Sequence, residues 1–473
     1  MTPPLEITPL PYHEDPLGYF AVLRDRPGAV LLDSGRPTAP GGRYDILSCD
    51  PLARLEVDGD GRIHGDPALA DLSPFAAQQA LLDRLPAETP ESDLPFLGGL
   101  IGYWSYDLGQ RLEPVAGRAR SAVALPASRV GLYDWALIQD HERRESWLVA
   151  DAARRERVLA WLSGAARPAG GFRLTGPFAA ELSREAYLAR FRTVQAYIRA
   201  GDCYQINLAQ RFNAPYEGDL WAAYRRLREA TPTPYAGYQA WAGPEGEQAI
   251  LSLSPERFIE CRDGRVETRP IKGTRPRGAT PDEDRRLAAE LEASLKDRAE
   301  NVMITDLLRN DLGRVCRPGS VRVPTLCGLE SYANVHHLVS VITGELAADR
   351  RPMDLLAAAF PGGSITGAPK VRAMQIIDEL EPSRRSAYCG SLGYVDVRGR
   401  MDTSIAIRSV VAEAGRLHLW GGGGLVADSE GDAEYAETLD KIRHLMRALA
   451  TPSDEEKWNK EAVSIVNRDI DIQ

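Results

Sequence analysis

The spacing of apolar residues predicts short strands in the first third of the chain and longer helices after it. Early apolar runs, such as 28–33 and 98–106, are short and separated by Gly and Pro, which is typical of β-strands. Residues 164–177 are rich in Gly, Pro and Ala and are predicted to form a linker. The pattern therefore predicts three segments: a β-rich N-terminal region (1–165), a second domain (178–450) and a polar C-terminal tail (451–473).

Amphipathic helices are predicted in the second segment, where apolar residues recur every three or four positions. One helical face holds Leu188, Phe191, Val194 and Ile198, and Gly201 follows it where a C-terminal cap is favoured. Two more helical patterns come near the end of the chain: from about 369 to before 382, and from about 433 to 449.

Capping residues mark the start of a further helix. Thr280 is predicted as its N-cap and Pro281 as its first residue, and Glu283 completes a capping box. The helical pattern continues past Glu300 to Gly313 with one break.

Strand-like runs also occur in the second segment, often one directly after another. Residues 249–253 and 256–260 are two such runs, and Asp263-Gly264 forms a turn after the second. Consecutive strands combined with long helices predict an α+β fold rather than alternating strands and helices. No GxGxxG motif follows a strand, so a dinucleotide-binding fold is not indicated.

Composition and charge exclude several classes of protein. The net charge is −10 and the cations are scattered, which argues against a nucleic-acid or membrane surface as the main partner. The six cysteines include no CxxC pair. The N-terminus lacks a signal-peptide pattern, and no stretch approaches the roughly 18 apolar residues of a membrane span. We expect a cytoplasmic protein with reduced thiols.

Two pairs of acidic residues stand three positions apart in predicted helices. They are Asp297 with Glu300, and Glu434 with Glu437. Each pair shares a helical face, and two such faces together would suit magnesium, which takes few carboxylates and keeps water and substrate ligands. Two solvated helix faces explain the same spacing more often.

Two glycine-containing segments allow a ligand to approach the backbone closely. In residues 360–370, FPGGSITGAPK, Ser364 or Thr366 is predicted to cap a helix that Pro369 opens, and helix starts bind anions. The run at 421–424, GGGG, follows a strand-like stretch. A tight loop explains either segment equally well.

Three further residues have candidate chemistry. Lys272, near three arginines, would be a nucleophile if its pKa is depressed, but a surface cation is the more frequent case. Burial would raise the pKa of Glu256 into the range of a general acid, whereas such residues commonly pair with arginine. His337 could shuttle a proton, although a histidine beside a strand is more often structural. Singly, these residues decide nothing.

Together and in this order, the motifs resemble those of the chorismate-utilising enzymes. This family includes anthranilate synthase component I, aminodeoxychorismate synthase component I and the salicylate and isochorismate synthases. Residues 200–450 match densely, and the first 165 residues match more loosely. The matching segments are 201–212, 253–258, 269–278, 296–315, 336–340, 360–374, 388–394, 401–409 and 421–441.

The resemblance implies stacked antiparallel β-sheets wrapped by helices, with the active site between them. It implies that magnesium is bound directly by Glu300 and Glu437 and mainly through water by Asp297 and Glu434. The metal would hold the ring carboxylate of chorismate. The resemblance also implies a set of substrate-binding residues: Tyr388, Arg408 and the backbone near Gly424 around the enolpyruvyl carboxylate, with Thr366, His337 and Lys441 in the same pocket.

Within the family, the residue at position 272 distinguishes the branches. Anthranilate synthases resemble this motif with a small residue in place of the lysine, and the salicylate and isochorismate enzymes use a lysine to activate water. The neighbouring motifs favour the branch that aminates chorismate, in which Lys272 would attack C2 and Glu256 would protonate the departing C4 hydroxyl. Ammonia would come from a separate glutaminase subunit, because no glutaminase Gly-x-Cys-x-Gly motif is present.

The N-terminal region resembles the part of relatives that binds tryptophan. The matching stretches contain Leu32 and Ser34, within LLDS at 31–34, together with RYDI at 43–46. Two alternatives to the aminating enzyme stay open. They are an anthranilate synthase component I, and a non-catalytic relative that binds chorismate or tryptophan.

Overall fold

The computed structural model describes residues 4–39, 41–332 and 335–450, which form a β-rich core with helices around it. Its strands are β1 (Glu6–Leu10), β2 (Val30–Asp33), β3 (Tyr44–Ser48), β4 (Ala53–Val57), β5 (Ile63–His64), β6 (Gly99–Trp104), β7 (Ser128–Tyr133), β8 (Ala136–Asp140), β9 (Glu145–Ala150), β10 (Phe172–Leu174), β11 (Ala179–Ala180), β12 (Gln205–Gly218), β13 (Tyr235–Gly243), β14 (Gly246–Ser254), β15 (Arg257–Arg262), β16 (Arg265–Thr268), β17 (Ile271–Pro276), β18 (Arg322–Ser331), β19 (Val335–Glu345), β20 (Gly367–Ala368), β21 (Ser391–Asp396), β22 (Met401–Ile405), β23 (Ser409–Glu413) and β24 (Arg416–Leu425).

Helices cover the outside of these strands. They are α1 (Leu17–Leu23), α2 (Pro74–Leu82), α3 (Ala152–Leu162), α4 (Arg184–Ala200), α5 (Leu220–Ala230), α6 (Pro281–Ala293), α7 (Leu295–Gly313), α8 (Pro352–Ala359), α9 (Lys370–Leu380) and α10 (Gly431–Leu449), with 3-10 turns at Pro67–Leu69, Tyr106–Arg111 and Gly363–Ile365. Within the described ranges, no helix combines the length and the apolar character that crossing a bilayer requires.

The strands form two large antiparallel sheets. Among the described residues, one sheet has 13 strands, in the order β1-β9-β8-β3-β2-β13-β14-β23-β24-β12-β10, with β11 and β20 also paired to β12. The other has 11 strands, in the order β17-β19-β16-β15-β22-β21-β6-β7-β4-β5, with β18 paired to β19. Side chains from both sheets share one apolar core, for example Leu208 and Val411 with Leu100 and Leu392. The predicted α+β fold of stacked antiparallel sheets is confirmed.

The N-terminal region contributes strands to both sheets. In one, Leu31 of β2 lies opposite Tyr238 of β13, and in the other, Ile101 of β6 lies opposite Tyr394 of β21. The predicted linker is not a loop throughout, because β10 lies in it and pairs with β12. Phe172 and Leu174 of β10 are buried, which the Gly and Pro content of the linker concealed. The domain boundaries stay a prediction, and the tail 451–473 lies outside the described residues.

Most helix signals of the sequence are found in the structure. Helix α4 ends at Gly201, whose φ of +82° is the left-handed conformation that a glycine cap supplies. Thr280 caps α6 by accepting a hydrogen bond from the Glu283 backbone. The Glu283 carboxylate reaches the backbone N–H of Ala279 instead of that of the N-cap residue. The predicted break occurs at Ser294, which caps α7.

The predicted cap of α9 is wrong. This helix begins at Lys370, after Pro369, and no side chain in the described part of the protein caps it. The Thr366 hydroxyl instead donates to the Gly362 carbonyl, 3.0 Å away.

The run of glycines in β24 lets α10 pack directly on the sheet. A Cβ placed on Gly421 would lie 1.9 Å from the carbonyl oxygen of Thr438, and real Cβ atoms do not approach a backbone oxygen so closely. The close approach at Gly421 is therefore that of a helix, and the predicted approach of a ligand to residues 421–424 stays a prediction. The packing at Gly421 sets the distance between α10, which carries Glu434 and Glu437, and the sheet beneath it.

We expect Gly421→Ala to lower the free energy of unfolding by about 2 kcal/mol or more, because α10 must move away from β24. Urea unfolding followed by circular dichroism measures this change. Gly18→Ala is the matched control, since a methyl group added to Gly18 in α1 would meet no described atom within 4 Å. A helical Gly→Ala exchange stabilises by about 0.5–1 kcal/mol. Equal unfolding midpoints for the two variants would contradict this packing argument.

Candidate active site

A cavity of about 420 Å³ lies between the two sheets, beside α7 and α10. Its walls come from β12, β17 and β24, from the 3-10 turn at Gly363–Ile365, and from the N-terminal parts of both helices. The cavity brings together most of the residues predicted for the site: Glu256, Lys272, Asp297, Glu300, His337, Tyr388, Arg408, Gly424, Glu434, Glu437 and Lys441.

Lys272 and Glu256 face each other in this cavity. Lys272 lies at an irregularity of β17, where the pairing with β19 shifts between Ile271 and Thr274. Its Nζ donates to the backbone carbonyl of Ser364 at 3.2 Å. Burial lowers the pKa of Lys272, and the carboxylates of Glu300 and Glu256 oppose this shift. Desolvation thus favours the neutral amine.

Glu256 is 8% exposed, in the segment between β14 and β15. Burial raises its pKa above the usual range, while the Lys272 ammonium and a hydrogen bond from Ser364 act in the opposite direction. The pKa values of Lys272 and Glu256 are therefore shifted towards each other. Perturbed pKa values of buried groups that face a charged partner in a cavity are common at functional sites.

The three arginines near Lys272 in sequence do not lower its pKa. Arg269 pairs with Glu330, Arg275 with Glu290 and Arg277 with Asp284. The depression of the Lys272 pKa comes first from burial.

Both acidic helix pairs point into the cavity. Ser429 donates to Oε1 of Glu434 at 2.6 Å, whereas Oε2 of Glu434 is buried with no hydrogen-bond partner among the described residues. A Cβ on Gly423 would lie 3.0 Å from Glu434 Oε2 and 3.3 Å from Glu437 Oε1, so this glycine makes room for both carboxylates. Burial raises the pKa of Glu434 and of Glu300, and the neighbouring carboxylate of Glu437 adds to both shifts.

These carboxylates fit a magnesium ion that shares its coordination with other oxygens. In the described ranges, no three His, Cys, Asp or Glu side chains are close enough to hold a metal ion by themselves. Magnesium typically binds one or two carboxylates together with water and substrate. An orphaned oxygen on Glu434 beside further carboxylates is a donor set of that kind. A cation here would offset their mutual repulsion.

Aromatic and cationic side chains line the opposite wall. The rings of Tyr388 and Trp420 stack at 5.8 Å with an angle of 6° between them. Arg408 adopts a left-handed φ of +51° and lies near Glu256. His337 Nδ1 lies 2.9 Å from the Thr274 hydroxyl, and burial together with Arg408 holds the pKa of His337 below its usual value. A neutral imidazole and a fixed guanidinium suit the binding of a carboxylate.

Comparison with known proteins agrees with this geometry. The sequence profile described as chorismate binding enzyme matches residues 29–447. This chain belongs to the chorismate binding enzyme family. The resemblance seen in the motifs is thereby confirmed.

Individual relatives of this chorismate binding enzyme align over nearly the whole chain. It is 49% identical to aminodeoxychorismate synthase component 1 of Klebsiella aerogenes, over 93% of this chain and 98% of the relative. It is 41% identical to anthranilate synthase component 1 of Thermus thermophilus, over 91% and 94%. The crystal structure of anthranilate synthase component I from Streptococcus pneumoniae superimposes with a TM-score of 0.76 at 29% identity, over 86% and 92%.

Three predicted residues of this chorismate binding enzyme do not line the main cavity. Thr366 is fully buried behind the 3-10 turn, and its carbonyl accepts from the Asn207 backbone. Leu32 lines a separate cavity of about 130 Å³, beside Tyr394. The backbone N–H and the hydroxyl of Ser34 both donate to Asp45 at 2.7 Å. The predicted substrate and tryptophan contacts of these residues stay predictions.

Other residues line the main cavity without having been predicted: Asn207, Thr274, Lys296, Ser364, Ile365 and Trp420. Each belongs to, or directly precedes, one of the segments that match the family. Their positions in the cavity depend on how distant segments pack, which spacing does not show.

Below the aromatic wall, His418 of β24 is kept neutral. Arg211 donates to its Nδ1 at 3.0 Å, and burial, helped by Arg211 and Arg416, lowers the pKa of His418 to about 3. An unfolded histidine takes up a proton near pH 6.5. Acidification from pH 6.5 towards 3 therefore protonates the unfolded state first and destabilises the fold.

We expect the wild type to lose about 2 kcal/mol more stability than His418→Asn between pH 6.5 and 4.5. Asparagine retains an acceptor for Arg211 and does not titrate in this range. Urea unfolding at the two pH values measures the difference. Equal losses of stability in wild type and variant would contradict this expectation, because they would mean that His418 takes up its proton as readily in the folded state as in the unfolded state.

Proposed function

We propose that this chorismate binding enzyme is the chorismate-aminating component of an aminodeoxychorismate synthase. It would replace the C4 hydroxyl of chorismate with an amino group and retain the enolpyruvyl side chain. The observation that carries the proposal is the half-buried Lys272, which lies next to Glu256 in a cavity with four further carboxylates. Relatives 47–49% identical over most of the chain are named aminodeoxychorismate synthase component 1.

In the proposed reaction Lys272 is the nucleophile and Glu256 the acid. The neutral amine of Lys272 attacks C2, the ring double bonds shift, and the C4–O bond breaks. Glu256 gives its proton to the departing hydroxide, which leaves as water, and the lysine nitrogen then returns one proton to the Glu256 carboxylate. Ammonia adds to C4, the double bonds shift back, and the C2–N bond to Lys272 breaks. The new ammonium nitrogen gives up one proton and the departing lysine nitrogen takes one up, so that the neutral amine of Lys272 and the protonated Glu256 are both restored. Burial supports both roles, because it favours the neutral amine and the protonated carboxyl.

Magnesium would be held by Glu300 and Glu437, with Asp297 and Glu434 acting through water. When bound, it would neutralise and orient the ring carboxylate of chorismate. The crowded carboxylates and the orphaned oxygen of Glu434 support this assignment.

The other carboxylate of chorismate would lie against the opposite wall. Arg408 and Tyr388 would hold it together with the backbone near Gly424. His337, Lys441 and Thr366 complete the proposed pocket. Lys441 donates to the Gly422 carbonyl at 2.8 Å and pairs with Glu437 at 2.6 Å, so it joins α10 to β24 at the cavity. Binding at both ends fixes the ring against Lys272, which lowers the entropic cost of the reaction.

A separate glutaminase subunit would supply the ammonia, as the designation component 1 of the relatives suggests. The product would enter p-aminobenzoate and folate synthesis in the cytoplasm. We propose that the cavity beside Leu32 takes tryptophan, and that Ser34, two residues further on and held in place by Asp45, supports this site.

We expect Lys272→Ala to abolish formation of 4-amino-4-deoxychorismate from chorismate, magnesium and ammonium. Mass spectrometry of the products, with a separate assay of free pyruvate, measures this. Lys272→Arg is the matched control: it keeps a cation but remains protonated, so it should be equally inactive. Anthranilate and free pyruvate from the wild type would instead make the chain an anthranilate synthase component, and full activity in either variant would exclude Lys272 as the nucleophile.

We expect chelation of magnesium to stop the reaction and re-addition to restore it. Glu300→Gln and Glu437→Gln should each raise the magnesium concentration for half-maximal activity by about tenfold or more, because each removes an anionic ligand. Asp440→Asn is the control on α10, since Asp440 is exposed and pairs with Arg443. Activity that persists in chelator, or an equal effect of Asp440→Asn, would contradict the proposed metal site.

A further inference from the structure

Ser364 contacts both residues on which the proposed reaction depends. Its backbone carbonyl accepts from Lys272 Nζ at 3.2 Å, and its side chain acts on the Glu256 carboxyl as a donor that lowers the pKa of Glu256. Ser364 is 9% exposed and lines the cavity. One residue therefore touches the proposed nucleophile through its backbone and the proposed acid through its side chain.

The turn that carries Ser364 is held from several sides. Arg385 donates to the Ile365 carbonyl at 2.9 Å, and the Thr366 hydroxyl donates to the Gly362 carbonyl. A Cβ on Gly363 would lie 2.7 Å from the Leu307 side chain of α7, so the turn packs tightly against that helix. Ser364 is thus fixed relative to the helix that bears Glu300.

A fixed hydroxyl determines where the proton of Glu256 resides. A protonated carboxyl has one oxygen that only accepts and one that carries the proton. A hydrogen bond from Ser364 favours the unprotonated state of the Glu256 oxygen that accepts it. The proton is then directed to the other oxygen. Two other charged groups act on Glu256, the ammonium of Lys272 and the guanidinium of Arg408, and the Cys389 thiol also lies near it.

The Ser364 carbonyl acts on Lys272 in a corresponding way. A neutral amine has two N–H groups and one lone pair, and the carbonyl takes one N–H. This contact limits rotation about the last bond of the side chain and so orients the lone pair.

We propose that Ser364 is a positioning residue of the amination reaction, which orients the Lys272 amine through its carbonyl and the Glu256 carboxyl through its hydroxyl. This inference rests on the function proposed above, because it assumes the roles given there to Lys272 and Glu256. It adds a residue that acts on the proton-transfer step and holds the two groups in one geometry.

Ser364→Ala removes the hydroxyl and keeps the carbonyl, so it tests the contact with Glu256 alone. We expect kcat for 4-amino-4-deoxychorismate formation to fall about tenfold, the effect of one hydrogen bond to an ionisable group, with KM for chorismate changed less than about twofold. Ser48→Ala is the matched control, because Ser48 is also buried but donates to the Trp135 carbonyl in the N-terminal region. It should leave both constants unchanged.

A double-mutant cycle with Glu256→Gln separates positioning from general structural damage. If Ser364 acts through Glu256, Ser364→Ala should reduce kcat less than about twofold in the Glu256→Gln background. A tenfold loss in both backgrounds, an unchanged kcat in Ser364→Ala, or a loss confined to KM would overturn the inference. Failure of the proposed function is distinguishable, since it appears as a wrong product in the wild type.

Discussion

The site depends on one buried cation. Arg385 is 1% exposed and bonds to Glu381 at 2.6 Å, to the Ile365 carbonyl at 2.9 Å and to the Asn207 carbonyl at 2.6 Å. Its guanidinium also lies 4.6 Å from the ring of Tyr106. A buried guanidinium is tolerated only when an acid balances its charge and acceptors take up its N–H groups. The segments that supply these partners must therefore pack around Arg385 at the same time. Arg385 thereby joins β12 of one sheet to the turn that carries Ser364.

Exclusion of water from the cavity determines the pKa values of the residues that line it. Desolvation moves the pKa values of Lys272 and Glu256 towards each other, and it makes the carboxylates on α7 and α10 costly to keep ionised without a cation. The same burial that favours the neutral amine of Lys272 would therefore also favour the proposed divalent ion near these carboxylates. Because Gly421 and Gly423 have no side chain, α10 can pack close enough to bring its carboxylates to the sheet.

The sequence was sufficient for the fold class, for the start of α6 and the break before α7, and for placing most of the predicted site residues in one cavity. Helical spacing correctly paired Asp297 with Glu300 and Glu434 with Glu437, since it is a local property. Features that depend on distant partners were missed. The three arginines near Lys272 in sequence form ion pairs with acids on other elements, which local spacing does not show. Ser364 was expected to cap a helix, but Arg385, twenty-one positions later, holds it in a separate turn.

Strands that are far apart in sequence pair at the centre of both sheets. Neither sheet can therefore be completed from one half of the chain alone. Strand β2 pairs with β13 about 200 residues later, and β6 pairs with β21 about 290 residues later. Loops of that length must close before either sheet is complete, so folding is expected to be slow and to finish only after synthesis of β24. A nascent chain that has left the ribosome as far as α6 therefore exposes unpaired central strands. The chain is therefore most vulnerable to aggregation and proteolysis until its C-terminal third has been synthesised and can pair with these strands.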